Sequence, residues 1–113
     1  MPFKVSIRQI GRIAILDIEG PVRLGVAEEQ FREQTQRLLK AGTLWVAINL
    51  GHVTDVDSSG IGLFVRTWSQ FKRLGGTCVF FAATDRVRSV FRMVGLEQTL
   101  DLFEDETAAL ARF

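Results

Sequence analysis

Leu44-Trp45-Val46-Ala47-Ile48-Asn49-Leu50-Gly51-His52-Val53-Thr54-Asp55-Val56-Asp57-Ser58-Ser59-Gly60-Ile61-Gly62 is the stretch that decides the fold. Leu44 to Leu50 is almost unbroken in apolar residues. Such a run predicts a strand covered on both faces, as in a parallel sheet. From Gly51 the composition turns polar, which predicts a loop. Asp57-Ser58-Ser59-Gly60 then reads as the entry to a helix over Ser59–Leu74. An aspartate accepts hydrogen bonds from the free backbone N–H groups of a first turn, so on local pattern Asp57 is an N-cap. Gly60 and Gly62 each cost a helix about 1 kcal/mol relative to alanine. Their presence predicts a local demand for bare backbone, such as the close approach of a partner to the first turn.

The same alternation continues on both sides. Phe3–Ile10 alternates apolar and polar residues as a half-exposed strand, Gly11-Arg12 interrupts it, and Ile13–Ile18 is a second strand of a hairpin. Gly20-Pro21 is expected to end that strand, because proline donates nothing to a ladder. Ala27–Ala41 has helical spacing through Phe31, Thr35, Leu38 and Leu39, with Gly42 as its stop. Ile61, Phe64, Val65, Trp68 and Phe71 recur at helical spacing in the next helix, which Gly75-Gly76 terminates. Thr77–Ala82 reads as a buried strand and Asp85–Val94 as a helix ending in a Gly95-Leu96 Schellman turn. Thr99–Phe103 reads as a short strand, and Asp105 caps a last helix over Glu106–Ala111. Strands alternating with helices predict an α/β domain with a mostly parallel sheet of four to five strands, an N-terminal β-hairpin and about four helices.

Composition narrows the function. The 113 residues fit one domain. Lys+Arg number 14 and Asp+Glu 13, a formal charge of +1, which gives no support to nucleic-acid binding. One cysteine, Cys78, excludes an intramolecular disulfide framework and reads as a small buried hydrophobe. With one histidine beside it there are too few soft ligands for a zinc site. No apolar run is long enough to insert into a membrane and no secretion signal is visible, so a cytoplasmic location is expected. No glycine pattern for a dinucleotide or a nucleoside triphosphate occurs, and no motif asks for a cofactor. A serine hydrolase would have only His52 as its base, and His52 reads as a loop residue. Charge is unevenly spread. Arg66, Lys72, Arg73, Arg86, Arg88 and Arg92 fall between Gly60 and Gly95, and Glu97, Asp101, Glu104, Asp105 and Glu106 follow. The basic run reads either as solvated helix faces or as a docking surface for an acidic partner.

In open α/β sheets, sites gather where strands end, and two strand ends stand out here: the one leading to Ser58 and the one leading to Arg23. Ser58 sits where the free N–H groups and the dipole of a helix favour a phosphate, so it is the candidate phosphoacceptor. Ile48-Asn49-Leu50 followed by Val56-Asp57-Ser58-Ser59-Gly60-Ile61-Gly62 resembles the signature of the STAS domain, the sulfate-transporter and anti-sigma-factor-antagonist family. The resemblance covers nearly the whole chain, residues 1–113, as a single STAS domain. It includes the hairpin, the Gly75-Gly76 turn and the Phe91-Arg92-Met93-Val94-Gly95-Leu96 ending.

The resemblance implies a non-catalytic phospho-switch of the anti-sigma factor antagonist kind. The unmodified form binds an anti-sigma factor that is also a serine kinase of the histidine-kinase-like ATPase fold, and a sigma factor is freed. Phosphorylation of Ser58, with Ser59 as the second-choice hydroxyl, separates the pair, and a metal-dependent serine phosphatase restores it. Arg23, Asp55, Asp57, Ser58, Ser59, Gly60, Ile61 and Gly62 are then expected at the partner surface. Arg23 stands where the family often has an acid. It is expected beside the Ser58 loop, either pairing with a phosphate there or solvated. The competing reading is an accessory or scaffold subunit of a lipid-transport ATPase or a stress-sensing assembly, docking through Arg66, Lys72, Arg86, Arg88 and Arg92.

Overall fold

In a computed structural model describing residues 2–113, β1 (Lys4–Ile10) and β2 (Ile13–Val22) form the expected antiparallel hairpin. Three strands follow in parallel, each reached through a helix: α1 (Val26–Lys40) leads to β3 (Trp45–Val56), α2 (Ser58–Arg73) to β4 (Thr77–Phe81) and α3 (Asp85–Met93) to β5 (Leu102–Phe103). A last helix, α4 (Glu106–Leu110), closes the described chain. The sheet order is β1-β2-β3-β4-β5. When parallel strands are added in sequence order, right-handed crossovers put every connecting helix on the same face. That face carries the main core. Phe31 of α1, Phe64 and Phe71 of α2 and Phe91 of α3 are fully buried against Leu16, Ile18, Ile48, Leu50 and Phe80 of the sheet. The other face is thinner. Ile15, Ala47, Val79 and Phe81 are covered by Ala109 of α4, with Leu110 and Phe113 packed alongside.

Helix limits agree with the sequence periodicity to within one residue at each end. The Gly95-Leu96 ending is a Schellman turn: Gly95 has φ of 76°, its N–H donates to the Arg92 carbonyl at 3.1 Å, and the Leu96 N–H donates to the Phe91 carbonyl at 2.9 Å.

Strand limits differ in three places. Gly20-Pro21 does not end β2, which runs on to Val22. Beyond the Lys4–Glu19 pair, β2 is paired with β3 alone, with register shifts between Asp17 and Glu19 and between Gly20 and Pro21. A proline is tolerated at such a one-sided, irregular position. The polar stretch after Leu50 is not a loop. β3 continues to Val56, pairing with β2 as far as Val22–Val56, while its pairing with β4 stops at Asn49–Phe81. Val53 and Val56 point into the core and His52 and Thr54 are exposed, so His52 is a strand residue. The last strand is Leu102–Phe103 only, because Thr99 and Leu100 donate to the Leu96 carbonyl in a turn.

Candidate functional site

The extended β2 and β3 carry their ends past the rest of the sheet, side by side. Val22 pairs with Val56, so Arg23 and Asp57 emerge from adjacent strands. The Asp57 N–H donates to the Val22 carbonyl at 3.4 Å, which ties the two exits together. Asp57 is the N-cap of α2: its carboxylate accepts from the Gly60 N–H at 2.9 Å, and its carbonyl accepts from the Ile61 N–H at 3.0 Å.

Gly60 is required by packing. A Cβ at this position would stand 2.3 Å from the Val22 carbonyl oxygen and 2.6 Å from Val56 Cγ2. The close approach expected of a partner is made by the chain's own β2. Gly60 and Ile61 are buried, so neither presents a surface for docking. Gly62 is half-buried, and the Arg66 guanidinium lies across it, with Nη1 at 3.2 Å from where a Cβ would be. Ser58, the first residue of α2, is exposed, and Ser59 is half-buried. Of the two hydroxyls, Ser58 is therefore the one displayed.

Three residues before Ser58, Asp55 is clamped. Its carboxylate accepts from Arg23 Nη2 at 2.7 Å, from Arg86 Nε at 3.4 Å and from the Val56 N–H at 2.9 Å. The Arg23 hydrogen bond, the Val56 amide and Arg86 hold the Asp55 carboxyl below the usual aspartate range. Arg23 thus lies beside the Ser58 loop, where its exposed side chain pairs with Asp55. Parallel pairing of β2 with β3 brings the two together. Arg86 was expected only on the basic docking surface of the competing reading, not beside Asp55. Its signal was its place in the first turn of α3, since in a parallel sheet every such turn returns to the same end.

Among the described residues no group of three or more His, Cys, Asp or Glu side chains is arranged to hold a metal ion, and no helix is long and apolar enough to cross a membrane.

A hairpin leading into parallel strands, three crossover helices on one face and a serine at the open start of α2 define an α/β domain of the STAS type. The chain belongs to the STAS domain family, matching it over residues 4–109. Solved structures share the fold at low sequence identity. An anti-sigma factor antagonist from Thermotoga maritima superposes with a TM-score of 0.88 at 16% identity, covering 96% of this chain and 92% of that one. One from Mycobacterium paratuberculosis gives 0.87 at 14% identity, covering 98% and 93%. Unphosphorylated SpoIIAA, an anti-sigma factor antagonist of Bacillus that is also solved in its phosphorylated form, gives 0.80 at 21% identity, covering 96% and 95%.

Proposed function

We propose that this protein is a cytoplasmic anti-sigma factor antagonist switched by phosphorylation at Ser58. Unphosphorylated, it binds an anti-sigma factor that is also a serine kinase of the histidine-kinase-like ATPase fold. Binding releases a sigma factor. The kinase transfers a phosphate to Ser58, the pair separates, and a metal-dependent serine phosphatase resets the cycle. The role asks no catalysis of this chain.

The observation that carries this reading is the exposed Ser58 hydroxyl at the first position of α2, flanked by Asp55 and Asp57. The helix start leaves backbone N–H groups that tolerate a phosphate in the free domain. A docked partner changes the balance. A phosphate carries about −1.5 to −2 charges at neutral pH and must then be desolvated within the interface. A partner that binds only the unmodified surface is thereby released by differential affinity. That similar folds belong to anti-sigma factor antagonists, one of them solved in both phosphorylation states, supports the same assignment.

The test is capture from the native cell with wild type, Ser58→Ala and Ser58→Asp, the captured proteins being identified by mass spectrometry. Ser58→Ala is expected to retain an ATPase-fold kinase and Ser58→Asp to release it. Equal capture by all three would reduce Ser58 to a helix-start residue and support a persistent scaffold role.

A further inference from the structure

Away from the Ser58 surface, α1 and α2 meet through the Phe31–Phe64 edge contact, with ring centroids 6.0 Å apart, and diverge above it into a groove of about 430 Å³. The floor includes Thr35 and Thr67, both buried, whose hydroxyls donate to the carbonyls of Arg32 and Leu63 at 3.0 and 2.9 Å. Their polarity is internally satisfied, so the floor offers shape and no unmet bond. The walls carry the charge. Arg32 rises from α1 and Arg66 and Arg73 from α2, against a single acid, Glu28. Glu28 is spent on Arg66 at 3.3 Å. Among the described residues, Arg32 and Arg73 have no carboxylate within ion-pair distance, whereas Arg8, Arg23, Arg86 and Arg92 all do. On a chain of formal charge +1 this is a local concentration of cation that the chain itself leaves unanswered.

We propose that the α1–α2 groove is a second docking site, for an acidic helix of a protein partner. Arg66 and Arg73 are seven residues apart on one face of α2, two turns or about 10.5 Å along the axis. The 3.3 Å Arg66–Glu28 pair is solvent-exposed on the arginine side and weak enough to exchange for an incoming carboxylate. Carboxylates seven residues apart on an incoming helix have the same spacing. Guanidinium groups bind carboxylates in forked pairs, which gives such a match direction as well as attraction. The long, open shape suits a helix laid in a groove. Three cations on a nearly neutral chain are too few for a nucleic-acid backbone, whose binding requires many neutralised phosphates. Of the basic run in the sequence, the groove uses Arg66 and Arg73 and adds Arg32 from α1, leaving the α3 arginines outside it.

The experiment is an NMR titration of the isotope-labelled full chain with a synthetic Ala/Leu helix about 15 residues long bearing glutamates seven residues apart. A matched lysine peptide and inorganic phosphate serve as comparisons. Amide shifts are expected to concentrate on residues 28–36 and 63–73, to be absent with the lysine peptide, and to weaken as ionic strength rises to about 0.15 M. Arg32→Gln with Arg73→Gln, both exposed and free of ion pairs, is expected to weaken binding at least about tenfold with the fold intact by circular dichroism. Arg12→Gln with Arg112→Gln, also exposed, is expected to leave binding unchanged. The proposal is overturned by shifts centred on α3 or scattered over the surface, by equal binding in the groove variant, or by inorganic phosphate reproducing the shifts at lower concentration. These outcomes are independent of whether Ser58 is phosphorylated.

Discussion

At the residue scale, Gly60 shows how a correct local observation leads to the wrong cause. Two glycines in a first helical turn signal a demand for bare backbone, but not who makes it. The demand comes from Val22, whose carbonyl lies where a Cβ would fall. Gly60→Ala is expected to destabilise the fold by about 3 kcal/mol, because the obstacle is backbone and has no rotamer to escape into. A urea midpoint unchanged from wild type would show that α2 can shift without cost. Asp57 was legible as a cap from its type and position alone, and it caps. Asp57→Ala should cost about 1 kcal/mol, and Asp57→Asn much less, since the amide oxygen still accepts from Gly60. Equal losses in the two variants would locate the contribution of Asp57 in its charge. Asp55 and Ser58 were legible as neighbours in the chain. That Asp55 holds two arginines, one from the loop after β2 and one from the first turn of α3, was not, since these ion pairs depend on how β2, β3 and α3 are set side by side.

At the element scale, α4 has five residues and could not persist alone. It is held by packing on the thin side of the sheet and by Arg8. The Arg8 guanidinium donates to Asp17 at 2.6 and 3.0 Å and to Glu106 at 2.6 Å, while Asn49 Nδ2 donates to Asp17 at 2.9 Å. β1, β2, β3 and α4 thus meet at one charged node. Arg8, and with it Asn49, holds the Asp17 carboxyl below its usual range despite partial burial. A carboxyl whose folded-state pKa is depressed stabilises the fold above its unfolded pKa of about 4, and that contribution disappears as pH falls through the folded value. Stability should therefore drop as pH falls below about 4. Asp17→Asn should cost about 1–2 kcal/mol at neutral pH, and its deficit relative to wild type should shrink over that acid window. A deficit constant with pH would show that the cost is steric. The extension of β3 belongs to this scale as well. Val53 and Val56, both buried, are three residues apart, and Thr54 is skipped where Val53 pairs with Gly20 and Asp55 with Pro21, so this stretch carries no regular strand period in its sequence.

At the scale of the whole molecule, the core converges on Phe64. Its ring meets Phe31, Phe80 and Phe91 at centroid distances of 6.0, 5.6 and 6.1 Å, joining three helices and the sheet. Phe64→Ala is expected to cost about 4 kcal/mol, a large share of the stability of a domain this size, and so to leave a population of unfolded chain detectable by calorimetry. Cys78 sits in β4 within the same core, where burial pushes its thiol pKa up. Its reaction with a thiol reagent at neutral pH should follow global unfolding and accelerate in Phe64→Ala. Fast labelling of the native wild type would mean that β4 opens locally. The sequence by itself determined the fold class, the order of elements, the helix limits and the position of the displayed serine. These rest on periodicity, capping and glycine placement, which act over a few residues and are written in the chain. Tertiary structure alone decided how far β2 and β3 extend, that Gly60 faces β2 and not a partner, that Arg23 and Arg86 share Asp55, and that Arg32, Arg66 and Arg73 line one groove. Each of these depends on which strands and helices become neighbours, and that is set by burial summed over the whole sheet and its three crossover helices.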